Sequence, residues 1–285
     1  PASQPAYDGE VAIVVAEDVE NDHRQCVAYV HNPALSGQVK AQAGPLGFPL
    51  ASGYRKIIAA RAIQELQPGY NVNLGQGIPT DMVPLIDPKK CPVNFSLESG
   101  VSGGVPHPVP DFGVATNPES MMRQDDLFKF YDGGGLDIAF LGFAEIDFDG
   151  NVNVSKFNHQ FVGCGGFMDI AQNTRKIVFC GAMTAGGLKI EARGDRVELI
   201  KEGEIVKFVD KVEHVTFNAK EAIKNGQEVL YITDRCVWKL TEQGPEIVEV
   251  YPGIDLNKDI LAHIGFKPCI NLGIKNESIS LNCQQ

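Results

Sequence analysis

Residues 52–75, SGYRKIIAARAIQELQPGYNVNLG, contain the pattern that decides the fold. Ile57, Ile58 and Leu66 recur at helical spacing, and the Pro68-Gly69 pair ends the helix. The run YNVNLG follows at once and is typical of a strand. A helix that passes into a strand through a tight turn is the repeating unit of α/β proteins, so this stretch predicts an α/β fold.

The same alternation continues along the chain. CPVNFSLE (91–98) and LDIAFLGFAEI (136–146) read as strands. Between them, NPESMMRQDDLFKFY (117–131) is predicted to be a helix that has Asn117 as its cap, Pro118 at its first position and glycines at its end. Strands with nearly continuous apolar runs predict a sheet that is covered on both faces.

The later part of the chain favours antiparallel pairing. KIVFCGA (176–182) is another buried strand, but residues 188–209 alternate short strands with tight turns. Two further strands form a hairpin through TEQGP (241–245), and DLNKDILAHIG (255–265) is predicted to be a final helix. We therefore predict an α/β fold with three layers, in which an open, mixed and mostly parallel sheet carries an antiparallel extension.

Composition excludes several classes of function. The chain has 285 residues, 44% of them apolar, and 36 acidic against 25 basic side chains give a formal net charge of -11. This charge argues against nucleic acid or an anionic membrane as a partner. No apolar run approaches the ~20 residues that cross a bilayer, and PASQPAYDGE lacks the features of a signal peptide, so we expect a cytoplasmic protein.

The cysteines and histidines predict neither disulfides nor a metal site. Seven cysteines is an odd number, they are widely spaced, and none forms a C-x-x-C pair. The six histidines show no ligand spacing such as H-x-x-x-H. We expect reduced thiols and no bound metal.

Three glycine-bearing junctions predict the position of the site: NLGQGIP (73–79), LESGVSGG (97–104) and FVGCGGFMDI (161–170). If their strands are parallel, these junctions meet at one rim, where open α/β sheets bind ligands. Glu98 lies at a strand end beside glycines, which are expected to keep the approach to its carboxylate clear. The alternative is an exposed acidic residue at a strand boundary, the usual place for a glutamate.

Each glycine motif has a structural explanation when taken singly. The G-x-G of LGQGI is common in turns and lacks the last glycine of a dinucleotide fingerprint. The amides of GCGGF fit an anion-binding nest and a simple tight turn about equally. Cys164 within it has no basic partner that the sequence identifies, so it is not predicted to be a nucleophile.

The ordered set of motifs resembles the β half of family I coenzyme A transferases, and most of all the single-chain acetate or propionate type. The resemblance covers about residues 50 to 268 and rests on RKIIAARAIQELQPGYNVNLGQGIP, LESG, YDGGGLDIAFLGFAEIDFDGNVNVSKF, GCGGFMDI and VYPGIDLNKDIL. The earlier VHNPALSG resembles the connector between the two halves of that type.

The resemblance implies that Glu98 is the catalytic nucleophile and becomes a glutamyl-CoA thioester. Such a carboxylate needs no triad histidine, and a clamped cation would weaken it. The resemblance also implies that backbone groups contact the oxyanion and CoA, at Gly75, Gln76 and Gly77 and at Gly163, Gly165 and Gly166. It further implies coenzyme A as co-substrate without a permanently bound cofactor, a short-chain acid such as acetate, and an α-type half as partner in a hetero- or homo-oligomer.

The resemblance divides the chain into three parts. Residues 1–50 would be the tail of a preceding α-type domain with a connector, residues 51–275 the β-type catalytic domain, and residues 276–285 a C-terminal tail. Two other functions stay open at this point. A sugar-phosphate isomerase would need an acid/base pair around a phosphate, and a non-catalytic or inactive-alone subunit or ligand-binding module would share the fold without the chemistry.

Overall fold

The computed structural model of the protein describes residues 24–42, 48–157 and 159–272. Its α-helices are α1 (Gly53–Ala62), α2 (Gln124–Asp132), α3 (Phe167–Gln172) and α4 (Ala219–Lys224). Shorter 3₁₀ helices cover Ile63–Glu65, Ile78–Leu85 and Leu261–His263, and Leu256–Ile260 is π-helical. None of these helices combines the length and apolar character that crossing a bilayer requires.

The strands of the described residues are mostly short. They are β1 (Asn71–Leu74), β2 (Asn94–Leu97), β3 (Val101–Ser102), β4 (Val105–Pro106), β5 (Ala115–Thr116), β6 (Ser120–Met121), β7 (Ile138–Gly142), β8 (Glu145–Ile146), β9 (Val152–Asn153), β10 (Lys156–Phe157), β11 (Gln160–Phe161), β12 (Lys176–Cys180), β13 (Thr184–Ala185), β14 (Lys189–Arg193), β15 (Arg196–Lys201), β16 (Ile205–Val206), β17 (Glu228–Ile232), β18 (Cys236–Thr241), β19 (Gly244–Val250) and β20 (Cys269–Ile270).

Ten strands form one sheet in the order β20-β19-β18-β17-β12-β7-β1-β2-β3-β6. The central strands β17, β12, β7, β1 and β2 are parallel to their neighbours in this series. Antiparallel pairs extend the sheet at both sides, through β18 and β19 on one side and β3 and β6 on the other. The predicted mixed α/β sheet with an antiparallel extension is confirmed.

Side-chain alternation along the central strands builds a core on each face of the sheet. On β7, Ile138 and Phe140 point to the cluster that contains the apolar face of α1. Ala139 and Leu141 point to the opposite cluster, which contains buried residues of α2, α3 and α4. Because successive strand residues face opposite sides, a strand with a core on both faces must be apolar throughout. This explains the run LDIAFLG.

The predicted helix over residues 117–131 is wrong in its first half, because α2 begins only at Gln124. Asn117 has a φ of 57° and does not cap a helix. Its side-chain amide instead accepts from Ala41 N at 2.8 Å and donates to Ala41 O at 3.2 Å. Residues 120–121 then pair with β3 as an edge strand. Tertiary hydrogen bonds therefore override the local capping signal.

The last predicted helix also differs. Residues 255–265 begin with a π-helical segment and continue as a 3₁₀ turn rather than as a regular α-helix. Asp255 caps the segment by accepting from Lys258 N at 2.7 Å. The predicted hairpin through residues 241–245 is confirmed as β18 and β19. Asn218 caps α4 by accepting from Glu221 N at 3.2 Å.

Residues 24–42, which belong to the predicted tail and connector, lie against the body of the protein. Ala28 N donates to Asp111 Oδ1 at 2.9 Å, and Asn117 N donates to Ala34 O at 2.9 Å. These residues are thereby bonded to the loop between β4 and β5 and to the turn between β5 and β6. Residues 1–23 of the predicted α-type tail and the predicted C-terminal tail 276–285 lie outside the described residues.

A buried arginine holds the antiparallel side of the sheet to the turns beside it. Arg235 has no exposed surface and binds Asp234 Oδ2 at 2.9 Å and both carboxylate oxygens of Glu202 at 2.7 Å. It also donates to the backbone oxygen of Asp259 at 2.5 Å. Burial alone would raise the pKa of Glu202, but its hydrogen bonds with Arg235 outweigh that effect and lower the pKa to about 2.

Replacing Arg235 with alanine should lower the free energy of unfolding by about 3–5 kcal/mol, because Asp234 would remain buried without its counter-ion. Urea unfolding of the purified protein measures this loss. Arg193→Ala is the control, since Arg193 pairs with Glu198 on an exposed hairpin and such pairs contribute about 1 kcal/mol or less. Equal losses in the two variants would contradict the structural role of Arg235.

Candidate active site

Glu98 lies where three parallel strands end side by side. It follows β2 directly. Gly75 and Gln76 follow β1, which lies between β2 and β7, and Gly142 ends β7 at the same edge. These residues line a cleft of about 310 Å³ together with the loop before α3. The position predicted from the three glycine junctions is therefore a real concavity at the carboxyl ends of the strands.

The cleft has a backbone wall and an apolar wall. The predicted residues that line it with Glu98 are Gly75, Gln76, Gly163, Gly165 and Gly166. Gly77 is not among the lining residues; it has a φ of 95° and begins the 3₁₀ helix at Ile78–Leu85. The apolar wall, which the sequence analysis did not identify, consists of Phe112, Leu141, Val154, Phe167 and Ile170.

Gly166 lies so close to Glu98 that a side chain at this position would displace the carboxylate. A Cβ atom there would lie 2.5 Å from Glu98 Oε2 and 3.0 Å from the ring of Phe128. A contact of 2.5 Å is essentially never found for a real Cβ atom, so the end of the Glu98 side chain would have to move. The glycine therefore allows the backbone at the start of α3 to approach the carboxylate.

The glycines that follow Glu98 have a different role from the predicted one. A Cβ atom at Gly100 would lie 2.1 Å from Met122 O, and one at Gly104 would lie 2.4 Å from Thr116 O. Both residues have positive φ values, 102° and 75°. They allow β3 and the next turn to pack against neighbouring backbone, rather than clearing the approach to Glu98.

A buried polar cluster lies next to the C-terminal end of β2. The Tyr131 hydroxyl of α2 donates to Ser96 Oγ at 3.0 Å. Asn73 Nδ2 donates to Ser96 O at 3.1 Å and to the Tyr131 hydroxyl at 3.2 Å. Ser96 and Glu98 are two positions apart, so their side chains point to the same face. Polar residues inside the otherwise apolar strands NVNL and NFSL were the sequence signal for this cluster.

Burial and a nearby acid change the protonation of Glu98. Burial has the larger effect and raises the pKa of Glu98, and the negative charge of Asp169 in the first turn of α3 raises it further. Within the described ranges no lysine, arginine or histidine forms an ion pair with Glu98, and no cluster of His, Cys, Asp or Glu fits a metal ion. The site holds a partly buried acid whose ionisation is disfavoured.

The chain is similar to curated coenzyme A transferases. It is 39% identical to the caffeate CoA-transferase of Acetobacterium woodii over 271 residues, which are 92% of this chain and 51% of that protein. It is 40% identical to the acetate CoA-transferase YdiF of Escherichia coli K12 over 232 residues, which are 81% of this chain and 43% of that protein. The chain belongs to the family I coenzyme A transferases. It spans about half the length of these curated relatives.

Solved structures agree with this family membership. The crystal structure of YdiF apoenzyme from Escherichia coli O157:H7 matches with a TM-score of 0.77 and 35% identity, over 87% of this chain and 48% of that chain. A second YdiF structure from that organism, described as a thioester complex with CoA, matches with a TM-score of 0.72 and 35% identity, over 84% of this chain and 47% of that chain. A search of protein-family models finds no match.

A relative that is named as one subunit of an enzyme also matches. The B subunit of a probable succinyl-CoA:3-ketoacid coenzyme A transferase from Bacillus subtilis is 32% identical over 137 residues. These residues are 44% of this CoA-transferase chain and 63% of that subunit.

Replacing Glu98 with glutamine should stabilise the protein at neutral pH. The folded protein holds the Glu98 proton to a higher pH than the unfolded chain does, so wild-type stability falls as the pH rises through that interval. Glutamine at position 98 removes this loss. Thermal unfolding should therefore show a higher Tm for Glu98→Gln at pH 8 and little difference near pH 4, about the ordinary pKa of glutamate.

Glu242→Gln is the matched control for this experiment, because Glu242 is exposed in the turn between β18 and β19. If the two glutamine variants show the same Tm difference from wild type at both pH values, the burial of an ionised Glu98 is not what limits stability.

Proposed function

We propose that this chain is the catalytic β half of an enzyme that transfers coenzyme A from a short-chain acyl-CoA to a carboxylic acid. The observation that carries the proposal is the partly buried carboxylate of Glu98, without a paired cation among the described residues, in a glycine-lined cleft of a chain related to CoA-transferases. A carboxylate with a raised pKa is a better nucleophile than one held by a cation.

In the proposed mechanism Glu98 is loaded in two displacement steps. A carboxylate oxygen of Glu98 attacks the thioester carbon of the acyl-CoA, the C–S bond breaks, and a mixed anhydride and CoA thiolate form. The thiolate then attacks the Glu98 carbonyl carbon, the acid leaves as a carboxylate, and a glutamyl-CoA thioester remains. An incoming carboxylate reverses both steps and leaves as the new acyl-CoA.

Backbone amides are the proposed oxyanion donors. Gln76 follows β1, and Gly163, Gly165 and Gly166 precede α3, so both groups line the cleft around Glu98. Gly75 also lines the cleft, but its N–H donates to Phe140 O at 2.8 Å, so it is not one of the proposed donors. Each tetrahedral intermediate carries a negative oxygen, and losing one oxyanion donor typically costs about 3–4 kcal/mol. Gly77 lies outside the cleft lining and is proposed to serve the turn.

The environment of Glu98 also favours the loaded state. Ionised Glu98 is partly buried near the negative charge of Asp169, whereas the glutamyl thioester is neutral. Loading therefore moves a negative charge out of the cleft with the departing acid and relieves both the burial penalty and the repulsion. The structure that makes the free carboxylate costly makes the covalent intermediate comparatively favourable.

An α-type half is the proposed partner. The chain spans about half of its single-chain relatives, and its subunit-B relative is named as one part of a two-subunit enzyme. The α half would be either another region of the same polypeptide or a separate chain. We propose that it completes the acid pocket beside Glu98 and that coenzyme A is a co-substrate rather than a resident cofactor.

Incubating the complete enzyme with propionyl-CoA should attach CoA to Glu98. Peptide mass spectrometry should find a CoA adduct on the peptide that contains residues 94–104, and borohydride should remove it. Glu98→Gln should form no adduct and should lose acyl exchange, because its amide cannot attack the thioester. An active wild-type enzyme that carries its adduct elsewhere, or an equally active Glu98→Gln variant, would refute the proposal.

Gly166→Ala should reduce kcat by about 100-fold or more, because the new Cβ atom displaces the Glu98 carboxylate and small displacements of reacting groups have effects of this size. Gly142→Ala is the control within the same cleft, since a Cβ atom there would lie 4.0 Å from its nearest neighbour, Gln76 O. It should retain far more activity. Steady-state acyl exchange measures both, and equal kcat values would contradict the proposed contact.

A further inference from the structure

Phe112 and Phe167 are the aromatic residues among the described residues that line the cleft. Phe167 lies on α3, whereas Phe112 lies on a loop. It lies between β4 and β5 and packs against Leu97, Val101 and Ala115, a small apolar cluster separate from the two main cores. Its ring borders the cleft that also contains Glu98. Phe112 therefore belongs to the cleft without belonging to the core of the sheet.

The other large apolar side chains of the cleft are fixed by that core. Leu141, Phe167 and Ile170 are 3%, 7% and 2% exposed and pack in the cluster of α2 and α3. Changing their size would disturb the packing of the fold itself, because protein interiors are close-packed. Phe112 is only partly buried, so its size can vary with less effect on stability.

The loop holds Phe112 in a defined position. Ser99, the residue after Glu98, donates through Oγ to Gly113 O at 2.6 Å. His107 N donates to Val114 O at 3.0 Å, and Asp111 accepts from Ala28 N on the connector. The residues on both sides of Phe112 are thus tied, one of them to the residue next to the nucleophile. A ring held in this way forms a fixed wall rather than a movable cover.

We infer that Phe112 limits the size of the acyl group that Glu98 accepts, restricting it to short aliphatic chains. This inference rests on the proposed CoA transfer and deepens it. The acyl carbon must come within bonding distance of the Glu98 oxygen, so the acyl chain extends from that point into the cleft. The free space of the cleft, about 310 Å³, is at the lower end of the range for ligand pockets, and Phe112 bounds it, so removing this ring would enlarge the space beside Glu98.

The test compares kcat/KM of the complete enzyme for acetyl-CoA and hexanoyl-CoA as CoA donors, with one acceptor acid. Wild type should favour acetyl-CoA. Phe112→Ala should raise the hexanoyl-to-acetyl ratio by about 10-fold or more, since space for a single methylene changes discrimination by about 10- to 200-fold. Phe112→Leu retains part of the packing of the small cluster and should give an intermediate ratio. If Phe112→Ala does not fold, the hexanoyl-to-acetyl ratio of Phe112→Leu tests the inference instead.

Phe148→Ala is the matched control. Phe148 is 47% exposed, packs edge-on against Phe266 at 5.9 Å and does not line the cleft. Its hexanoyl-to-acetyl ratio should equal that of wild type. An active wild-type enzyme whose ratio does not change in folded Phe112 variants would overturn the role of Phe112 and leave the proposed function standing. A complete enzyme that exchanges no acyl-CoA at all would overturn the proposed function itself.

Discussion

The partial burial of the Glu98 carboxylate, which has no ion-pair partner among the described residues, is the constraint on which the site depends. Glu98 follows the end of β2, and its carboxylate contacts the backbone of Gly166 at the start of α3. The negative charge of Asp169, in the first turn of α3, acts on the same carboxylate. Such an arrangement opposes folding when the carboxylate is charged. The sheet tolerates it because its central strands are packed on both faces, and that packing fixes the rim independently of the acid.

Different layers of the fold supply different parts of the site. The parallel strands place Glu98 and the Gly75-Gln76 turn at one edge, and α2 adds the Tyr131 hydroxyl beside the end of β2. The start of α3 brings main chain to the carboxylate. Each part is held by contacts outside the cleft, so the geometry exists before any substrate arrives. Such preorganisation is what electrostatic stabilisation of an oxyanion requires.

Sequence reasoning was sufficient for features with a local signal. Apolar runs and glycine turns located the central strands, the rim and Glu98 at its strand end. It failed where distant contacts decide the backbone: Asn117 reads as a helix cap but bonds to Ala41, 76 residues away. Gly100 reads as an open approach but packs on Met122. Phe112 carries no signal at all, because only the folded loop brings it to Glu98.

The hydrogen bonds that hold residues 24–42 to the rest of the described protein have a mechanical consequence. Ala28 bonds to Asp111 in the loop between β4 and β5, and Ala41 bonds to Asn117 in the turn between β5 and β6, so this segment is attached at two points. The loop between β4 and β5 is also bonded to Ser99, the residue after Glu98. A displacement of residues 24–42 would therefore reach the cleft through the hydrogen bonds of Asp111 and Gly113, without passing through the ten-stranded sheet.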